Sequence, residues 1–205
     1  LRDRQQSILT RILNLNEDIP DEIRTMHRWK VLVYDQKALD ILITLMKVSK
    51  LHDVGVTVFK DIKDQRDPIP DVAAVYLLCP TQENLVLLKR DICRNMYDSI
   101  YINFIEPIST VDLDNFAQSV AAESDGRVVK SIVDQFLCFC SPDPNLCCLT
   151  DQPLLKDLYA FRPNNEAVDN ALNSIVSALV SVCVTAGEVP RLLYQRETYS
   201  EEIAN

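Results

Sequence analysis

Open α/β sheets do their chemistry beyond the carboxyl ends of their strands. In this sequence those positions hold Asp35, Lys63 or Asp64, Cys79, Glu106 and a point near Phe136. Asp35 with a downstream acid suggests a receiver-type phosphoacceptor, but that chemistry needs an aspartate after the third strand, where the chain has Cys79-Pro80. Cys79 as a nucleophile needs a neighbouring base, and neither histidine, His27 or His52, is placed beside it by the sequence. Asp35 and Cys79 therefore read first as a helix-start carboxylate and a buried thiol, with a small α/β enzyme or receiver-like domain as the alternative. The seven cysteines (Cys79, Cys93, Cys138, Cys140, Cys147, Cys148 and Cys183) fall in CxC and CC spacings without CxxC pairs, so no zinc pattern exists. Their odd number and apolar settings fit reduced, buried thiols of a cytosolic protein.

Glycine is scarce. The three residues Gly55, Gly126 and Gly187 are too far apart for a GxGxxG turn or a GxxxxGK loop, both of which need backbone approach without a Cβ. Lys plus Arg number 21 against 30 Asp plus Glu, a net charge of −9. That is the wrong sign for neutralising nucleic-acid phosphates or for a polybasic membrane anchor. Leu1 to Gln6 is charged and polar, unlike a secretory signal. The apolar stretch Val168 to Val184 carries Asn170, Asn173, Ser174, Ser177 and Ser181 at spacings of three and four, a pattern that fits a covered helix better than a lipid-facing span.

The elements that must position these residues follow from periodicity. Arg2 to Leu15 predicts an amphipathic helix and Pro20 a turn. Trp29 to Asp35 predicts a strand, Ala38 to Val48 a helix apolar nearly all round and covered on most sides, and Val54 to Ile62 a second strand. Lys60 to Asp71 is dense in mixed charge and reads as a solvated loop over Lys63 to Pro70, or as the lip of a binding surface. Asp71 to Cys79 is a continuous apolar strand, of the kind buried on both faces of a parallel sheet. Thr81 caps a helix reaching about Asn95; Ser99 to Ile105 is a fourth strand, Thr110 to Glu123 an amphipathic helix, and Val128 to Phe136 a fifth strand. Leu113, Phe116, Ala117, Val120 and Ala121 form the apolar stripe of that helix, which reads as an inward face packed on the sheet. Beyond it come strand and turn over Cys138 to Thr150, a short mixed stretch over Leu154 to Phe161, a long helix between Asn165 and Gly187, a strand over Arg191 to Arg196 and a helix from Thr198. The fold class is α/β: a doubly wound five-stranded parallel sheet with flanking helices over 1–134, then the start of a second α/β domain over 135–205.

Trp29-Lys-Val-Leu-Val-Tyr-Asp35, Arg66-Asp-Pro-Ile-Pro-Asp-Val-Ala-Ala-Val-Tyr76 and Pro80-Thr-Gln-Glu-Asn84 closely resemble the N-terminal region of the SM family, the Sec/Munc-type syntaxin-binding proteins. Tyr101-Ile-Asn-Phe104, Asp134-Gln135 and Gly187-Glu-Val-Pro190 continue the match in order, and the likeness is greatest to the Sly-type ER–Golgi branch. The resemblance implies a non-enzymatic, cofactor-free regulator of vesicle docking and membrane fusion in ER–Golgi and intra-Golgi transport. An SM protein of another trafficking step is the alternative within the family. Members are much longer chains, so the 205 residues are expected to end within domain 2.

The implied partners are the N-terminal peptide of a Golgi or ER syntaxin (a Qa-SNARE) and assembled SNARE complexes. Neither nucleic acid nor membrane insertion is expected; the protein would be a cytoplasmic monomer held peripherally at ER and Golgi membranes through syntaxin. By matching position, the peptide's phenylalanine would enter a pocket made by Leu113, Phe116, Ala117, Val129 and Ile132, with Phe116 and Val129 standing where the family pattern has leucine and isoleucine. Burying about 200 Å² of phenylalanine at about 25 cal/mol/Å² gives roughly 5 kcal/mol gross. Association costs about 4 to 15 kcal/mol, so polar contacts along the peptide must contribute as well.

Overall fold

The computed structural model describes residues 1–17, 29–149, 158 and 164–204. The chain divides into two compact units, Gln6–Gln135 and Leu1–Gln5 with Phe136–Asn205. The turn at Pro20, His27 and, Leu158 apart, the stretch from Leu154 to Phe161 lie outside the described residues.

The first unit is built on a fully parallel sheet. Its strands are β1 (Lys30–Tyr34), β2 (Val56–Asp61), β3 (Ile69–Leu78), β4 (Tyr97–Phe104) and β5 (Val129–Asp134), in the order β2-β1-β3-β4-β5. Helix α1 (Arg2–Leu13) enters the unit at Gln6; α2 (Gln36–Leu45), α3 (Val48–Asp53), α4 (Gln82–Cys93) and α5 (Thr110–Ala121) make the crossovers. The path from β1 to β2 runs one way across the sheet and the path from β3 to β5 the other. Right-handed crossovers therefore send α2 to one face and α4 and α5 to the opposite face. Ala74 to Leu78 on β3 are completely buried, as expected for a strand covered on both sides. One core joins Val31, Val33, Tyr76, Ile100, Ile102 and Phe104 of the sheet to Leu88 and Ile92 of α4 and to Phe116 and Val120 of α5.

Caps fix the helix starts. The Thr81 side chain accepts from the Asn84 N–H and the Ser109 side chain from the Asp112 N–H, each answering one of the orphan donors of a first turn. Three expectations need correction. The helix after Asp35 stops at Leu45 because Met46 and Lys47 take extended backbone, and α3 starts afresh at Val48. It is also less covered than its composition suggested, with Ile43 62% exposed, since a helix against one sheet face hides only one side. The charged tract is no plain solvated loop either: β3 begins inside it at Ile69, and the Arg66 side chain is only 3% exposed, 2.5 Å from Asp91 Oδ2. Tyr76 donates its hydroxyl to the same carboxylate oxygen at 3.0 Å, so the charge is buried with partners rather than solvated.

The second unit holds an antiparallel pair, β6 (Cys140–Asp143) and β7 (Leu146–Cys148), with helices α6 (Asn165–Ala186) and α7 (Tyr199–Ala204). The α6 N-cap is Asn164, one residue before the expected position, and Gly187 closes it in the left-handed region at φ 66°. This helix is long and apolar enough to cross a membrane. In the fold it packs Val168, Ala171 and Leu172 around Leu158, Tyr199 and Ile203, and Ala178 against Cys138 and Phe139. Its polar stripe does not follow the solvent side: Asn170 and Asn173 are exposed, but Ser181 is wholly buried, donating to the Ser177 carbonyl at 2.8 Å. The strand expected over Arg191 to Arg196 does not form. Those residues pair with no strand among the described residues, and Leu193 is 90% exposed.

Candidate functional site

The carboxyl ends of β1 and β3 meet where the strand order reverses, the usual ligand crevice of such a sheet. Here the protein's own groups fill it. Asp35 Oδ1 accepts from the Ala38 N–H at 2.9 Å and caps α2. Its Oδ2 accepts from the Cys79 N–H at 2.7 Å and from Asn84 Nδ2 at 2.8 Å, and Asn84 Nδ2 also donates to the Cys79 carbonyl at 3.0 Å. Both carboxylate oxygens are thus committed to holding two loops and a helix start together. Burial, and then the Asp35 charge, push the Cys79 thiol far above its ordinary range, so it stays protonated and unreactive. Glu106 is ion-paired with Lys37, Lys63 with Glu83 at 3.0 Å, and Phe136 takes a left-handed backbone at φ 51°. No nucleophile and base come together at this end of the sheet among the described residues.

The opposite flank of the unit is different. Between the end of α4, the outward side of α5 and β5 lies an apolar hollow of about 230 Å³. Pockets for drug-sized ligands run from about 300 to 1,000 Å³, so this one suits a single large side chain. Phe116 and Val120, one turn apart on α5, are 6% and 7% exposed and belong to the core while flooring the hollow. Ala117 and Ala121 follow them on the exposed side, and their small size is what leaves the space open. Ile92 closes one end, and Ser124, Asp125 and Gly126 of the following loop form the lip. Gly126 sits at φ 64°, a conformation other residues adopt only with strain. A Cβ there would meet Val120 only at 3.9 Å, so backbone conformation, not space, calls for glycine.

The far wall is made by Val129 and Ile132, three residues apart on one strand. Strict alternation would send them to opposite faces. The register explains their meeting: Ile100 pairs with Val129 and Tyr101 with Ser131, so Lys130 is an extra, bulged residue. After the bulge, Ile102 pairs with Ile132, and Val129 and Ile132 stand beside Ile100 and Ile102 on the α5 side. β5 is the last strand in the order, so its outer edge pairs with no strand among the described residues.

The charges around it are satisfied locally. Asp125, the one acid in the lining, pairs with Arg127 at 2.9 Å. Glu123 takes a hydrogen bond from Lys89 at 2.6 Å, which holds its carboxyl below the usual range. Of the residues singled out in the sequence, Phe116, Ala117, Val129 and Ile132 are brought together in the hollow. Leu113 is not: it lies one turn back along α5, half-buried, outside the lining. Ile92, Ser124, Asp125 and Gly126 were not singled out; Val120 and Ala121 were already visible as the i+7 and i+8 positions of the same stripe.

Comparison with known proteins adds to this geometry. The Sec1 family model matches residues 30–205. The Sec1 family domain-containing protein 1 of Mus musculus is 35% identical over the whole chain, and the sly1 homologue of Drosophila melanogaster 30% identical over the same span; each match covers 33% of the relative. The chain therefore spans about a third of the length of these curated relatives. Among solved structures, Sly1p in complex with an N-terminal peptide of Sed5p matches 99% of this chain and 36% of its own, with TM-score 0.92 and 29% identity.

Proposed function

The chain belongs to the Sec1 family, and from that premise we propose that it binds the N-terminal peptide of a Golgi or ER syntaxin and regulates vesicle docking and membrane fusion in ER–Golgi and intra-Golgi transport. The observation that carries this reading is the single-side-chain hollow on the α5–β5 flank, in a fold that superposes closely on a Sly1p structure holding such a peptide. A peptide aromatic in the hollow would contact Phe116, Ala117, Val129 and Ile132, with Leu113 reached only by residues that flank the anchor. The sheet unit would be SM domain 1 and residues 136–205 the start of domain 2. The protein would work as a non-enzymatic, cytoplasmic monomer, associated with ER and Golgi membranes through its syntaxin and engaging assembled SNARE complexes. The satisfied Asp35 network and the protonated Cys79 favour recognition over catalysis.

Titration of labelled N-terminal peptides from syntaxins of several compartments tests the proposal. Ala117→Trp fills the hollow from an exposed position, so it should leave the thermal melt unchanged while weakening binding about tenfold or more, about 1.4 kcal/mol. A variant that folds and binds as tightly as the original chain would place the peptide elsewhere.

A further inference from the structure

We propose that Cys140 and Cys148 form a reversible cross-strand disulfide site in the β6–β7 hairpin. The two residues are direct partners in the antiparallel ladder. Residues opposed in this way send their side chains to one face, with Cα atoms about 4.5 or 5.5 Å apart depending on the hydrogen-bond pattern. Disulfides span Cα separations of about 4.4 to 6.8 Å, a range that takes in both spacings. Both residues are in the thiol form and only partly buried.

The hairpin is held in this register by its surroundings. Gln5 donates from Nε2 to the Phe139 carbonyl at 2.8 Å and accepts the Ser141 N–H on Oε1 at 3.1 Å, clamping the chain on either side of Cys140. Cys147 is the natural competitor. As the neighbour of Cys148 it points to the other face, where it packs with Cys138, Phe139 and Ala178. Burial there raises its thiol above the ordinary range, and the nearby Cys148 adds to the rise. The structure thus separates a facing pair from the buried Cys138 and from Cys147, which packs partly buried against the same cluster.

The chemistry is thiol–disulfide exchange with a low-molecular-weight disulfide such as oxidised glutathione. One protein thiolate attacks the S–S bond, expels one glutathione and leaves a mixed disulfide. The second thiolate attacks the protein sulfur of that bond and expels the other glutathione. The protein loses two protons and two electrons, and the glutathione disulfide gains them as two thiols.

The test is to incubate the folded chain with oxidised glutathione, then denature it, block remaining thiols with N-ethylmaleimide and measure the intact mass. The expected result is five blocked cysteines of the seven, the loss of two hydrogens and no retained glutathione. Cleavage at Asp143 should leave Cys138 and Cys140 on one peptide and Cys147 and Cys148 on the other, joined through sulfur, and backbone fragmentation of the linked peptides should place the bond between Cys140 and Cys148. Cys140→Ser and Cys148→Ser should each abolish the link, whereas Cys147→Ser and Cys138→Ser should keep it. Seven blocked cysteines, stable glutathione adducts without closure, or a link mapped to Cys138 and Cys147 would each overturn the proposal. Because the peptide digest reads the unsubstituted chain, the result does not depend on the variants folding, nor on the peptide-binding reading of the first unit.

Discussion

Lys30 is 4% exposed at the start of β1, with its Nζ donating to the Leu13 carbonyl at 2.6 Å. One carbonyl cannot replace the water an ammonium gives up, so burial lowers its pKa from 10.5 to about 8, against an opposing pull from Glu17. The sign of the pH dependence follows. Between about pH 8 and 10.5 the unfolded chain holds this proton and the folded chain has lost it. Stability therefore rises with pH across that window, and the cost of the buried charge is fully present below it. Urea titrations at closely spaced pH values should show this slope, and Lys30→Met should flatten it; an equal slope in the variant would assign the effect to other groups. Asp35 shows the opposite design at the same scale. Its carboxylate is buried but answered by three donors, so the helix-start role read first from the sequence holds, and the same side chain also clasps the loop at Cys79.

At the scale of elements, the bulge at Lys130 decides whether the hollow has a far wall. Deleting both Lys130 and Ser131 should make Val129 and Ile132 neighbours, send them to opposite faces of β5 and weaken binding of the proposed syntaxin peptide about tenfold or more. Lys130→Ala keeps the residue count and should bind as the original chain does. Peptide titration against both variants distinguishes a wall built by register from one indifferent to it. The elements themselves were largely legible. The β-branched runs, the capping Thr81 and the i, i+3, i+4 stripe of α5 are local signals, and each sits close to where the structure has it. The bulge was not legible, because it exists only in the pairing of β5 with β4, and no residue type marks it. The meeting of Val129 and Ile132 accordingly came from family resemblance alone; strand periodicity argued against it. Arg66 misled for a related reason. Its partner Asp91 is 25 residues away on α4, and a charge among charges gives no local sign that it will be buried.

For the molecule as a whole, the charge of −9 bears on how the proposed peptide would arrive. A syntaxin peptide of net positive charge should associate faster at low salt, and its on-rate should fall several-fold as ionic strength rises past about 0.1 M, where the Debye length is about 10 Å. The off-rate, governed by an apolar anchor, should change little. Stopped-flow measurements over a salt series check this, and a salt-independent on-rate would remove long-range steering from the account. On the proposed function, recognition and folding are also one transaction in this unit. Because Phe116 and Val120 are at once the floor of the hollow and part of the main core, a residue placed on them becomes a temporary piece of that core. Occupancy then acts as a folding ligand, stabilising the unit by about 2.7 kcal/mol at a hundredfold excess over Kd, and the chain's own melting temperature becomes a gauge of which peptides it accepts.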